Sequence, residues 1–148
     1  MNGNKSLHEN AYIDVIKPQL VDDATVASAW LPMMNNNRTC FIVNIGATDT
    51  TVDAKVQQAT AVAGTNAKDV TGAAITQVSA TGDNKYMVID LETDHLDVMN
   101  GFNHVQLQIT AGNGDTGAQV SAVILRHAPR HVPVTQSADL TQKIIVAG

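Results

Sequence analysis

Apolar and polar residues alternate in short runs along much of the chain, with the period of two that marks a β-strand with one buried face. In the run 52–59, the residues Val52, Ala54 and Val56 share one side. The run 105–110 alternates in the same way. Both runs predict strands, although the Lys, Gln and Ala of the first would also suit a helix.

Continuous apolar runs predict further strands. The longest, TCFIVNIGA at 39–47, is expected to lie centrally in a sheet with both faces buried. Shorter apolar runs at 86–91 and 120–125 predict two more strands.

Turn residues separate these runs. The Gly-Asn-Gly-Asp cluster at 112–115 predicts a hairpin that pairs the strands before and after it in antiparallel fashion. Glycine and small polar residues make 61–73 a predicted loop, followed by a short strand at 74–79.

Seven or eight short strands with turn clusters between them predict an all-β protein, an antiparallel β-sandwich of jelly-roll type. The polar residues 1–11 and the polar spacer before the apolar C-terminal tip predict extended arms. The expected organisation is an N-terminal arm and lead-in over 1–22, a β-sandwich domain over 23–134 and a C-terminal arm over 135–148.

Composition narrows the classes of function. The net charge is −5 and aromatic residues make up only 3% of the chain, so nucleic acid is not an expected partner. No run is long and apolar enough to predict a membrane span or a signal peptide. Cys40 is the only cysteine and lies in an apolar run, so it is expected to be inert, in a protein that assembles in a reducing cytoplasm.

No residue pattern predicts catalysis, and we expect no enzyme activity, cofactor or metal. The four carboxylates in the run 90–97 lack the glycine turn of a calcium loop, so a solvated turn is expected there. His127 and His131 are four residues apart, but Pro129 rules out the helix that would bring them to one zinc ion.

The candidate interaction residues lie near the C-terminus. The stretch 83–97 is acidic and the stretch from 126 onward is basic, which favours docking between copies or onto a partner. The chain ends in an apolar segment of high β-propensity, which is expected either to complete its own sheet or to dock on a neighbour. The interaction candidates are Arg126, Arg130, His131, Ile144, Ile145 and Val146.

Residues 39–133 resemble a family of small virion proteins of tailed bacteriophages, encoded near the major capsid protein. The likeness rests on TCFIVNIGATDTTVDAKVQQAT at 39–60, GTNAKDV at 64–70, the run 86–91 and, most specifically, VSAVILRHAPRHVPV at 120–134. The C-terminal arm beyond Val134 departs from the family pattern, which leaves the partner and its mode of binding open.

The resemblance implies a decoration or cement protein on the capsid surface of the virion, assembled in the host cytoplasm. The major capsid protein is the implied partner, and a dimer or trimer of the chain is expected. A neck or tail component and a carbohydrate-binding β-sandwich module are the alternatives.

Overall fold

The computed structural model describes residues 6–146, which form nine β-strands and one short helix, α1 (Leu7–Asn10). The strands are β1 (Tyr12–Val21), β2 (Ala24–Ala27), β3 (Leu31–Pro32), β4 (Asn36–Thr48), β5 (Val52–Ala59), β6 (Lys68–Ala74), β7 (Lys85–Glu92), β8 (His104–Ala111) and β9 (Ala118–Pro129). Two 3-10 turns, Thr93–His95 and Val98–Asn100, lie between β7 and β8. Residues 1–5 and 147–148 of the predicted arms lie outside the described residues.

The strands form two antiparallel sheets packed face to face. The first sheet has the order β1-β9-β4-β7 and the second has the order β2-β8-β5-β6, with the short β3 also pairing with β8. Apart from the short β3, which stays in the second sheet with β2, the chain changes sheet at each connection except the β5–β6 hairpin. This is the winding of a jelly roll. The predicted all-β antiparallel sandwich is confirmed.

The core lies between the sheets and is built from alternate residues of the inner strands. Val52, Ala54 and Val56 point inward from β5, as their alternation predicted. The largest fully buried side chains include Phe41, Met33, Leu107, Ile109 and Ile124. Each aliphatic or aromatic side chain of this size contributes about 1.5–3 kcal/mol by leaving water, so these contacts hold the two sheets together.

The hairpin predicted at 112–115 is wrong, because β8 belongs to the second sheet and β9 to the first. The loop between them crosses the end of the sandwich. The carboxylate of Asp49 accepts hydrogen bonds from the Thr116 and Gly117 amides at 2.7 and 2.9 Å, and Asp22 accepts one from the Gly114 amide at 2.8 Å. Turn residues signal a change of direction, but they do not specify which sheet the next strand joins.

The predicted loop over 61–73 is also wrong at its C-terminal end. Residues Lys68–Ala74 form β6, which pairs with β5 at the edge of the second sheet. The strand predicted at 74–79 is reduced to one isolated bridge between Val78 and Val52. Edge strand β6 contains Gly72 at φ +82°, and five of its seven residues are exposed, so its strand propensity is too weak to predict from sequence.

Two other expectations differ from the structure. Residues 12–21, placed in the N-terminal lead-in, form β1, which pairs with β9 and buries Ile16 and Val21 in the core.

Strand β4 was expected to have both faces buried, yet only its alternate residues face the core. Its other face belongs to the outer surface of the first sheet.

Candidate docking surface

Arg126 is buried inside one end of the sandwich, with only 7% of its surface exposed. Its guanidinium donates to the Asp14 carboxylate at 3.0 and 3.2 Å and to the Pro32 carbonyl at 2.8 Å. It also lies 4.5 Å from the centre of the Tyr12 ring. These contacts join β1, β3 and β9, so this predicted interaction residue holds the fold together and is not available to a partner.

Arg130 and His131 are exposed just after β9. Their backbone amides donate to Asn35, at 2.7 Å from Arg130 to the carbonyl and at 3.1 Å from His131 to the side-chain oxygen. The backbone of this segment is therefore fixed, while both side chains remain accessible.

The C-terminal arm is anchored at its base and exposed at its tip. The Gln136 side chain donates to the carbonyls of His8 and Ala11 at 2.8 and 2.6 Å and accepts from the Ile13 amide at 3.0 Å. Asp139 lies 3.9 Å from Lys17 of β1. The apolar tip is free of the core, with exposed fractions of 79% for Ile144, 57% for Ile145 and 92% for Val146.

The acidic stretch 83–97 is less open than its sequence suggests. Arg38 of β4 pairs with Asp90 and Glu92 of β7, at 3.1 and 2.5 Å. Lys68 of β6 pairs with Asp97 at 2.6 Å, and this contact lowers the pKa of the Asp97 carboxyl. Across residues 6–146, no three side chains of His, Cys, Asp or Glu gather closely enough to hold a metal ion.

The outer face of the first sheet carries an apolar surface that the sequence analysis missed. A row of four aliphatic residues crosses all four strands in direct register, Val15 to Val123, Val123 to Ile42 and Ile42 to Val88. A second row places Ile13, Leu125 and Cys40 beside one another. We call these residues the outer apolar face; its members are Ile13, Val15, Cys40, Ile42, Val88, Val123 and Leu125.

The outer apolar face is open at both sides of the sheet. Val15 is 44% exposed on β1 and Val88 is 52% exposed on β7. Tyr86, two residues before Val88 on the same face, is also exposed. Side chains of this kind are usually buried, so a continuous row of them on a sheet surface marks a place for another molecule.

The outer face of the second sheet is polar by contrast. Gln57, Gln106 and Gln108 form a hydrogen-bonded amide group there, and Thr25 bonds to Thr110 at 2.7 Å. Side chains that satisfy one another and face water give no drive to dock. The two outer faces of the sandwich therefore differ, and only that of the first sheet presents an apolar surface to a partner.

Cys40 lies within the outer apolar face and is half-buried. Burial, and then the negative charge of Asp90, raise the pKa of its thiol. A protonated thiol is a poor nucleophile, so Cys40 contributes apolar surface to this face rather than reactivity.

The sequence contained one signal for the outer apolar face. The runs 39–47, 86–91 and 120–125 are apolar at consecutive positions, whereas the strands of the second sheet alternate. Consecutive apolar residues in a strand require both faces to be covered. Within residues 6–146, no segment covers the outer face of the first sheet.

Comparisons with known proteins do not assign the chain to a family. No protein family model and no curated protein match the chain. Among solved structures, it is similar to a chain in the structure of infectious bursal disease virus, Gx strain, with a TM-score of 0.38 and 10% identity. The match covers 85% of this chain and 32% of that one, so the chain spans about a third of the solved protein's length. The tailed-phage resemblance stays a prediction.

No helix within residues 6–146 is long and apolar enough to cross a lipid bilayer.

Proposed function

We propose that the protein is a non-enzymatic structural component of a tailed-phage virion, a decoration or cement protein that binds the major capsid protein. The observation that carries the proposal is the outer apolar face, which crosses the whole first sheet opposite a polar second sheet. The resemblance of residues 39–133 to phage virion proteins supplies the setting.

The size of the outer apolar face favours repeated, individually weak contacts. Four strands spaced ~4.8 Å apart make it about 15 Å wide, and its two rows lie about 7 Å apart along the strands, so its area is on the order of 100–200 Å². A standard protein interface buries about 800 Å² on each partner. One copy alone would therefore bind weakly, whereas a lattice of identical sites would multiply a modest contact into stable attachment when the copies are linked.

The proposed attachment uses two parts of the molecule. The rigid sandwich presents the outer apolar face to the shell, and the exposed tip of the C-terminal arm reaches a neighbouring subunit. Arg130 and His131, exposed beside the base of the arm, add polar contacts at the rim of the interface.

The experiment is co-sedimentation with particles of the encoding phage from which the protein has been deleted. Wild-type protein is expected to sediment with them, and Ile42→Lys is expected to bind at least about tenfold more weakly, because it places a charge at the centre of the apolar row. The matched control is Thr110→Lys, an equivalent outward position on the second sheet, which should bind as wild type does. Equal binding of Ile42→Lys and wild type, at unchanged melting temperature, would overturn the proposed surface.

A further inference from the structure

The two edges of the first sheet are protected differently. The β1 edge contains Pro18, which cannot donate to another strand, and the arm lies along it through Gln136 and Asp139. Strand β7 forms the other edge, and within residues 6–146 it pairs only with β4. Its eight residues contain no proline. Such an open edge offers a row of backbone donors and acceptors to an added strand.

The tip of the C-terminal arm has the composition of a strand that needs a partner. Ile144, Ile145 and Val146 are β-branched and exposed. Lys143 is the only charged residue between positions 140 and 146. A segment of this kind gains both main-chain hydrogen bonds and apolar contacts by joining a sheet edge.

We propose that residues 143–146 of one copy add as an antiparallel strand to β7 of a second copy. The inference deepens the proposed function and rests on its docking role for the arm. It assigns the tip a partner, which is another copy of this chain.

Charge and side-chain pattern select the register. With Lys143 opposite Asp90, an antiparallel strand places Ile145 opposite Val88 on the outer face. Asp90 and Glu92 are paired with a single cation, Arg38, so this end of β7 has a surplus negative charge that Lys143 would neutralise.

The same register matches the inner face of the strand. Ile144 falls opposite Ile89 and Val146 falls opposite Met87, so every apolar residue of the tip meets an apolar residue of β7. A parallel strand with Lys143 at Asp90 would instead place Ile145 beside Glu92. The antiparallel arrangement is therefore the one that the sequence of both segments supports.

Chain length excludes the same molecule as the partner. A strand beyond β7 lies four inter-strand spacings from β1, about 19 Å. The four residue steps from Asp139, at the β1 edge, to Lys143 span at most about 14 Å. While Asp139 stays beside Lys17, the tip cannot reach its own β7. Reciprocal exchange between two copies gives a closed dimer, and one-way exchange closes a ring, of which a trimer is the smallest.

Disulfide trapping between two different variants tests the exchange. In a Cys40→Ser background, Ile145→Cys protein is mixed with Val88→Cys protein and oxidised; side chains directly opposite in an antiparallel pair are close enough to bridge. A covalent heterodimer of the two variants is expected. The matched control replaces Val88→Cys with Thr110→Cys, an exposed position on the second sheet, and should give at least about tenfold less heterodimer. Equal yields from the two pairs would overturn the proposal.

The disulfide-trapping experiment and the co-sedimentation experiment test the two proposals independently. If no specific disulfide forms while wild-type protein still sediments with particles, the strand exchange is wrong and the proposed function stands. If the specific disulfide forms while wild-type protein does not sediment, the exchange is right and the virion function is wrong.

Discussion

At the scale of single residues, Arg126 shows how strand alternation decides the role of a side chain. It shares the inward face of β9 with Val120, Ala122 and Ile124, and its charge is balanced inside the protein by Asp14. The run before it, 120–125, is apolar on both faces of the strand, so the sequence does not show which face is inward and this burial could not be predicted.

Arg126→Ala is expected to lower the free energy of unfolding by about 3 kcal/mol, because it leaves Asp14 without its buried partner. Urea denaturation monitored by circular dichroism measures the change. Arg130→Ala is the control, and its exposed position predicts a change within about 0.5 kcal/mol. Equal stability of the two variants would contradict the structural role of Arg126.

His104 gives the protein a dependence on pH. The residue is buried, its Nδ1 lies 2.6 Å from the Asn103 side-chain oxygen, and burial lowers the pKa of its imidazole from 6.5. Below about pH 6.5 the unfolded chain takes up a proton that the folded chain resists, so stability is full above that pH and falls as the pH drops.

The expected result is a lower free energy of unfolding at pH 5.5 than at pH 7.5, with a smaller difference in His104→Gln. NMR titration of the His104 ring in the wild-type protein provides a check without a substitution. An imidazole that titrates at or above 6.5 would contradict this account.

At the scale of strands, the outer apolar face can be monitored through its own cysteine. If the first sheet docks on the capsid, Cys40 is covered, and its alkylation by N-ethylmaleimide should slow at least about tenfold when the protein is bound to particles. Particle-bound and free protein are compared at the same pH, because the raised pKa of the thiol already slows the reaction. An unchanged rate would place the contact elsewhere on the molecule.

Five of the strands that pack the core were predictable, whereas β1 and the pairing of the strands were not. Period-two alternation located β5 and β8, and continuous apolar runs located β4, β7 and β9. The hairpin at 112–115 failed because pairing in a jelly roll is set by contacts between distant segments, such as β1 with β9. Strand β6 was not predicted because an edge strand needs few apolar residues.

The candidate site was predicted only in part. The exposed tip, Ile144, Ile145 and Val146, follows from an apolar segment beyond the last strand. The outer apolar face arises only when β1, β9, β4 and β7 lie side by side, so no single segment reveals it. The consecutive apolar residues of 39–47 were expected to be covered on both faces within the protein, and Ile13 and Val15 lay in the predicted N-terminal arm.

At the scale of the whole molecule, the arm is separable from the body. A chain that ends at Leu140 keeps Gln136 and Asp139, which hold the arm to the N-terminal segment and β1, and it loses the tip. We expect its melting temperature to match that of the full chain, while its self-association, measured by light scattering at high concentration, is lost. Association equal to that of the full chain would contradict the role of the tip.

We propose that the protein is a building block of the virion that docks through one side of its sandwich. A cryo-EM map of the particle that encodes it tests this most directly. The account predicts hundreds of copies on the capsid, an estimate from shell symmetry, with the first sheet against the shell. Absence from the mature particle, or about a dozen copies confined to the neck, would contradict it.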